Sequence, residues 1–226
     1  MGNQIPKPLV TEVREISRTE GYDDGLRNVV VRNVTVEKVV QFDIQKLGGE
    51  CVRYPSSYVV CYLLKKYGLS RVIDVTFGEG RFYKLCRSFI ELLVAADPVR
   101  RNWVVSPDEF YQYNVFYLLS KLRSGDVRIV KALDVVVIDP PKWSEGVSYR
   151  KREMYNFLIG SPKLIIEYGA KVASLLGVRN LLVHYRDLVE ISGYVPKHVV
   201  EFKWFARYLN TKNKNISLYI IYEKGG

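Results

Sequence analysis

The stretch Val72-Ile-Asp-Val-Thr-Phe-Gly-Glu-Gly80 constrains this chain more than any other. A short apolar run ends on an acid, and two glycines follow at once. Glycine accepts backbone conformations closed to other residues, so the turn after such a strand can approach a ligand closely. The segment GRFYKLCRSFIELL that comes next reads as a helix whose first N–H groups face whatever lies over the turn. An apolar strand, a glycine turn and a helix form the opening unit of a parallel α/β sheet.

Further units of the same kind follow. Leu93–Ala96 reads as a second strand ending at Asp97, and Asn102–Val105 as a third. Ser106-Pro107-Asp108-Glu109 has the form of a capping box and predicts a helix running to Ser124-Gly125. The run Asp134-Val-Val-Val-Ile-Asp139 is apolar throughout, as a central strand covered on both faces must be. Residues 162–176 read as helix and 180–185 as strand, and 198–208 with 216–223 form a closing antiparallel hairpin. Upstream, a helix starts at Pro55, with Ser56 or Ser57 near its cap, and stops at Gly68. Val29–Val31 and Val34–Val40 predict a small antiparallel ribbon over 28–44, set apart by the glycine pair 48–49. The expected fold is therefore a mostly parallel, Rossmann-like α/β sheet with a C-terminal antiparallel hairpin and a small N-terminal β extension. Its expected division is 1–48, the β-ribbon extension, and 49–226, the main domain.

Bulk properties narrow the class. With 226 residues and 48% hydrophobic content, one large domain with a full core is expected and disorder is not. No apolar run reaches the roughly 18–20 residues that span a bilayer, and the N-terminus lacks the apolar block of a secretory signal. Cysteines at 51, 61 and 86 show no metal-type spacing, and their odd number argues against a disulfide framework. A reducing, cytoplasmic setting is the simplest expectation. Four glutamines against 17 tyrosines fit a thermophilic source. Residues 1–50 carry seven Lys/Arg and eight Asp/Glu, whereas the rest carries 27 and 16. The net charge of +10 is thus confined to the main domain, where it would gather a polyanion such as RNA or DNA. The alternative is the solvated surface of a basic protein.

Within the first turn, Asp74 would lie beside the amino acid part of a cationic ligand. A nicotinamide-binding turn is the rival reading. That fingerprint wants a third small residue where this chain has Tyr83, and it leaves Asp74 unexplained. Asp97 ends the next strand, 23 residues on, where a carboxylate can accept both hydroxyls of a ribose; otherwise it is a surface acid. Asp108 suits an adenine amino group, or else a helix N-terminus, and Asp126 competes for the adenine.

Asp139-Pro140-Pro141-Lys142-Trp143 closes the fourth strand. The second proline holds the first extended, so that the Asp139 carboxylate and the Pro140 carbonyl can both face a cleft. Two such acceptors suit an exocyclic amine, which needs its hydrogens held and its lone pair aimed. Trp143 can stack on a flipped base or serve as packing, and Lys142 can meet a phosphate. The segment WSEGVSYRKREMY that follows mixes aromatic and basic residues without helical period. It reads as a flap in which Tyr149, Arg150, Lys151 and Arg152 contact a strand, or as an ordinary loop. His184 and His198 read as structural, and no metal site is supported.

Asp-x-x-x-Gly-x-Gly after the first strand, together with Asp-Pro-Pro and a nearby aromatic after the fourth, resembles the amino-methyltransferase branch of the class I S-adenosylmethionine (SAM)-dependent family. In that branch the motif is [Asp/Asn/Ser]-Pro-Pro-[Tyr/Phe/Trp], and its members methylate exocyclic amines of adenine, cytosine or guanine. The resemblance covers roughly 50–223. It implies SAM as cofactor, bound by Asp74, Gly78 and Gly80, with Asp97 on the ribose; Thr76 is read as a further cofactor contact, and Asp108 or Asp126 as the one at the adenine. It also implies that Asp139 with Pro140 engages the target amine; Pro141 and Trp143 are read as the other residues of the catalytic motif. Gly49 through Pro55 is similar to the segment that leads into some adenine methylases and touches the methionine end of SAM, which places Tyr54 there. One departure is that Lys142 holds the motif's fourth position, with Trp143 one residue late. Asp-Pro-Pro-Lys also resembles ribosomal RNA methyltransferases acting on cytosine carbon 5, but those need a cysteine in or after this region. This chain has none beyond Cys86.

The function expected is methyl transfer to a base amine in nucleic acid, RNA ahead of DNA, because 48 N-terminal residues leave little room for a DNA-recognition domain. Alternatives are a protein or small-molecule substrate, or a binding module that keeps the fold without catalysis. A partner subunit is left open.

Overall fold

The computed structural model describes residues 13–16, 34–129, 131–140, 161–203 and 216–225. In chain order its elements begin with β1 (Val13–Ile16), β2 (Val34–Val40), α1 (Gln41–Gln45), α2 (Gly49–Arg53), α3 (Pro55–Lys66) and β3 (Arg71–Asp74). There follow β4 (Leu92–Ala96), β5 (Glu109–Tyr111), α4 (Val115–Ser124), β6 (Val135–Ile138), α5 (Pro162–Leu175), β7 (Asn180–Tyr185), β8 (Tyr194–Lys203) and β9 (Ile216–Lys224).

These strands form one sheet in the order β1-β2-β8-β9-β7-β6-β3-β4-β5. The pairs β3/β4, β4/β5, β3/β6 and β6/β7 are parallel, and β9 enters antiparallel between β7 and β8. The architecture is Rossmann-like, with the C-terminal antiparallel hairpin that the sequence predicts. Every residue of β4 and β6 is buried, which requires an apolar layer on each face. Leu118 and Leu119 of α4 and Ile165, Ile166, Val172 and Ala173 of α5 supply one layer. Tyr58, Val59, Leu63 and Leu64 of α3 supply the other, with Tyr83 and Ile90. Fully burying each of the Leu, Ile and Val side chains among them is worth about 1.5–3 kcal/mol. Among the described residues, no helix is long and apolar enough to cross a membrane.

Several local expectations are corrected, each by a tertiary contact that overrides a local signal. Val34–Val40 pairs antiparallel with β1 and parallel with β8, so it extends the main sheet instead of closing a ribbon within 28–44. Val29–Val31 lie outside the described residues. The helix expected from Gly80 shrinks to a 3-10 turn at Arg81–Tyr83. Ser57 of α3 takes its place in the hydrogen bonding, donating to the Phe82 carbonyl (2.9 Å) and accepting from the Leu85 N–H (3.0 Å). Those are backbone groups that a continuing helix would pair with itself. Ser57 therefore docks this turn and does not cap α3, whose N-terminus has no side-chain cap.

Asn102–Val105 is not a strand; Val104 N–H donates to the Glu79 carbonyl at 2.8 Å and ties this segment to the glycine turn. The third strand is Glu109–Tyr111, and the capping-box reading of 106–109 fails. The open edge of β4 captures Asp108, whose N–H donates to the Leu93 carbonyl (2.8 Å) while its carboxylate accepts from the Leu93 N–H (2.7 Å). The helix starts instead at Val115, capped by the Asn114 side chain, and ends at Gly125 as expected. Cys61 and Cys86 form a disulfide between α3 and the loop after the glycine turn. The expectation of no disulfide is overturned because the partners are brought together by packing and lie 25 residues apart.

A buried polar cluster fastens β2 to α3 and β8. Glu37 of β2 accepts from Lys66 Nζ (2.8 Å) and the Tyr62 hydroxyl (3.1 Å), and its other oxygen lies 3.2 Å from His198 Nε2. Tyr67 and the other ring nitrogen of His198 are 2.9 Å apart. Burial pushes the Glu37 carboxyl up, but His198 and Lys66 outweigh it and hold its pKa at about 2.

Candidate active site

From β3 the chain runs outward through β4 to β5, then returns to β6 and β7 on the other side of β3. At such a reversal the two diverging connections leave a crevice at the carboxyl ends of the flanking strands. Here the two strands end at Asp74 and Asp139. Asp74 is level with Val137 across β3/β6, and Ile138 is level with Val183 across β6/β7, which puts Asp139 beside His184. Because successive side chains alternate faces, Asp74, Asp139 and His184 share the face of Val72, Val137 and Leu182, under α3. Three polar side chains thus replace the apolar column where the strands run out.

Asp74 is fully buried. Its Oδ1 accepts from the Thr76 N–H (2.8 Å) and the Thr76 hydroxyl (3.2 Å), and its Oδ2 accepts from the Tyr83 hydroxyl (2.6 Å). Burial nevertheless raises its pKa to about 7, since these bonds only partly offset desolvation and Asp139 adds repulsion. No cationic side chain pairs with it among the described residues. Burial also pushes the Tyr83 hydroxyl well above the usual phenol range, so it remains a donor.

Thr76 links the two strand tips. While its hydroxyl donates to Asp74, its oxygen accepts from the Asp139 N–H at 2.6 Å. The Asp139 carboxylate is one-third exposed, and its Oδ1 lies 2.9 Å from His184 Nδ1. Pro140 is buried behind it. The cleft between the tips measures about 270 Å3 and is lined by Asp74, Thr76, Phe77, Gly78, Glu79, Phe82 and Asp139, with Arg53, Tyr54 and Ser56 closing it from the start of α3.

The glycines have separate reasons. Both take positive φ, 59° at Gly78 and 71° at Gly80. A Cβ on Gly78 would meet nothing within 4 Å, whereas one on Gly80 would lie 2.6 Å from the Phe77 ring and the Val105 carbonyl. Gly78 therefore keeps backbone open to the cleft, and Gly80 lets Phe77 and the 104–105 segment close behind it.

Of the residues singled out in the sequence, Tyr54, Asp74, Thr76, Gly78 and Asp139 line one cleft, and Gly80 shapes it. Asp97 stands at the tip of β4, where it accepts from the Gly78 N–H (2.9 Å) and the Val99 N–H (2.9 Å). It holds the glycine turn in place. Asp108 is not part of the cluster: it sits at the start of β5, beside the start of β4, and pairs with Arg87 at 2.5 Å. Asp126 pairs with Lys121 after the end of α4, also away from the cleft. Pro141, Lys142, Trp143, Tyr149, Arg150, Lys151 and Arg152 lie outside the described residues.

Sequence reasoning missed Tyr83, Ser57 and Phe82 as supports of the site, and read His184 as merely structural. Only Tyr83 and His184 left a usable signal. One stands nine positions after Asp74, and the other is a polar residue at the end of an apolar strand.

No family model and no curated protein matches this chain. Solved structures do. It is similar to an rRNA methylase from Streptococcus thermophilus, with 11% identity and a TM-score of 0.43 over 74% of this chain and 95% of that one. An N-methyltransferase, NodS, from Bradyrhizobium japonicum has 12% identity and a TM-score of 0.43, covering 78% of this chain and 97% of that one. The magnesium protoporphyrin IX methyltransferase from Synechocystis, solved with bound SAM, has 11% identity and a TM-score of 0.43, covering 80% and 84%. With TM-scores below 0.5, none of these likenesses assigns a reaction or a substrate to this chain.

Proposed function

We propose that this chain is a SAM-dependent methyltransferase acting on an exocyclic amine of a nucleic-acid base, with RNA ahead of DNA. The observation that carries the reading is the pairing of two strand-tip acids, Asp74 and Asp139, across one cleft with Thr76 bonded to both.

The residues fit the cofactor. A fully buried carboxyl with a raised pKa and, among the described residues, no cationic partner is stabilised as an anion once a positive charge arrives, and the ammonium of the cofactor's amino acid part supplies one. Tyr83 and Thr76 fix the orientation of that carboxylate, Gly78 leaves its backbone open to the ligand, and Tyr54 closes the same end. Asp97 retains unused lone pairs for ribose hydroxyls while it anchors Gly78. When bound, the cofactor provides an electrophilic sulfonium methyl.

Asp139 accepts an N–H of the target amine, which turns the nitrogen lone pair toward the methyl. Rate acceleration comes from this in-line positioning, with no strong base required. In this reading Pro140 and Pro141 stiffen the strand tip, Trp143 stacks on the base, and Lys142 with Tyr149, Arg150, Lys151 and Arg152 contacts the strand. The net positive charge beyond residue 50 supports a polyanionic substrate.

The test is incubation with methyl-labelled SAM and total RNA or DNA stripped of modification, followed by mass analysis of the nucleosides. A labelled base amine is expected, identifying polymer, base and atom together. Label on protein or on a small molecule moves the substrate elsewhere. A melting temperature unmoved by saturating SAM refutes the enzymatic reading outright, because 100-fold excess over Kd stabilises a binder by about 2.7 kcal/mol.

A further inference from the structure

The imidazole of His184 stands between the cleft and the end of the sheet, and its surroundings are specific. Nδ1 lies 2.9 Å from Asp139 Oδ1. The ring lies flat on Tyr219, with centroids 4.0 Å apart and planes 7° from parallel. The two are directly opposite partners across β7/β9, so the stack is written into the strand register. Phe82, which lines the cleft, meets the same imidazole edge-on at 5.5 Å. His184 is 7% exposed and Tyr219 is fully buried. A ring wedged in this way cannot swing, so the atom it offers to Asp139 is fixed.

Asp139 is held at two points. Thr76 takes its N–H, and His184 takes one carboxylate oxygen. Among the described residues, Oδ2 has no hydrogen-bond partner. We infer that His184 is a positioning residue for the transfer, donating Nδ1–H to Asp139 Oδ1 so that Oδ2 alone is presented to the acceptor substrate. The inference rests on the methyltransferase reading above and sharpens its substrate class. A cleft-lining carboxylate with one oxygen already hydrogen-bonded and the other without a partner among the described residues selects a nucleophile that brings its own N–H, such as an amine. It rejects a carbonyl or a ring nitrogen that has only a lone pair to offer. An imidazole that fixes a carboxylate without touching substrate acts on the rate through orientation.

Two substitutions separate the hydrogen bond from the stack. His184→Phe keeps an aromatic ring over Tyr219 and removes the donor. His184→Asn places an amide N–H near the position of Nδ1 and removes the ring. Transfer from labelled SAM to unmodified RNA is measured alongside SAM affinity and melting temperature. His184→Phe is expected to lower kcat by about 30- to 100-fold with SAM affinity changed less than about twofold. His184→Asn is expected to keep kcat within about fivefold of wild type. Retention of kcat in His184→Phe, or an equal loss in both variants, overturns the inference. A second measurement needs no substrate: 15N NMR of the histidine ring at alkaline pH, where the neutral ring is expected as the Nδ1–H tautomer. An Nε2–H tautomer overturns the inference as well. If wild type methylates neither RNA nor DNA, the proposed substrate falls, and the tautomer still decides the role of His184.

Discussion

Replacing Asp74 by Asn tests whether the cofactor end of the cleft is built at the expense of the empty protein. The carboxyl is fully buried and its pKa stands near 7 instead of 3.8, because burial penalises the charge more than Tyr83 and Thr76 compensate it. A displacement of about three units corresponds to about 4 kcal/mol. Since the folded-state value is the higher one, the folded chain binds the proton more tightly than the unfolded chain. That stabilisation is complete below pH 3.8 and is lost as the pH rises through 7.

Asn imitates the protonated acid. Its oxygen keeps both bonds from Thr76, and its amide N–H donates to the Tyr83 oxygen as a protonated Oδ2 would. Urea unfolding of both proteins without ligand, stepped from pH 4 to 8, isolates the effect as the difference between two curves. The Asn variant is expected to become the more stable by up to about 4 kcal/mol at the alkaline end, with a relative slope near 1.4 kcal/mol per pH unit. It should also lose SAM-induced stabilisation. Parallel pH profiles, or a less stable variant at pH 8, would refute the argument.

Removing the disulfide through Cys61→Ala and Cys86→Ala together should cost about 3.5 kcal/mol by loop entropy alone, read by the same unfolding assay; no loss would mean that the turn carrying Phe82 is not held by this link. Glu37→Gln should cost about 2 kcal/mol at neutral pH, since it removes the charge faced by buried His198 and by the solvent-exposed Lys66 ammonium. Because the Glu37 carboxyl is held down near 2, its contribution is present above pH 4.5 and fades as the pH falls toward 2. Stability followed by circular dichroism should therefore differ most between wild type and variant above pH 4.5, with the difference shrinking toward zero as the pH falls to 2. Asp97→Ala should weaken SAM binding at least tenfold in calorimetry, because it releases the Gly78 N–H as well as a ribose acceptor; unchanged affinity would remove both roles.

The sheet was legible wherever burial leaves no choice. The runs 72–73, 92–96, 135–138 and 181–183 are apolar on both faces, and the helices at 55–66 and 162–175 carry their own proline starts. Illegible were the places where a distant partner outbids a local preference. Asp108 looks like a helix-start acid until the open edge of β4 takes both its N–H and its carboxylate. The run after Gly80 has helical composition, but Ser57 and Cys86 bind it to α3 as a turn. The acids of the site were readable because each ends an apolar strand. Their supports left a fainter signal, since Tyr83 reaches Asp74 from the 3-10 turn at 81–83 and His184 reaches Asp139 through the β6/β7 register.

The parallel pairing of β2 with β8 has a consequence for anyone shortening this chain. β8 is ten residues long and mostly buried, and with β2 in place it has a neighbour on either side. Cutting before Gly49 would strip six consecutive backbone rungs, from His198 to Lys203, and leave a long apolar margin able to recruit another chain. Such a fragment should precipitate or pair with itself, however complete its cleft.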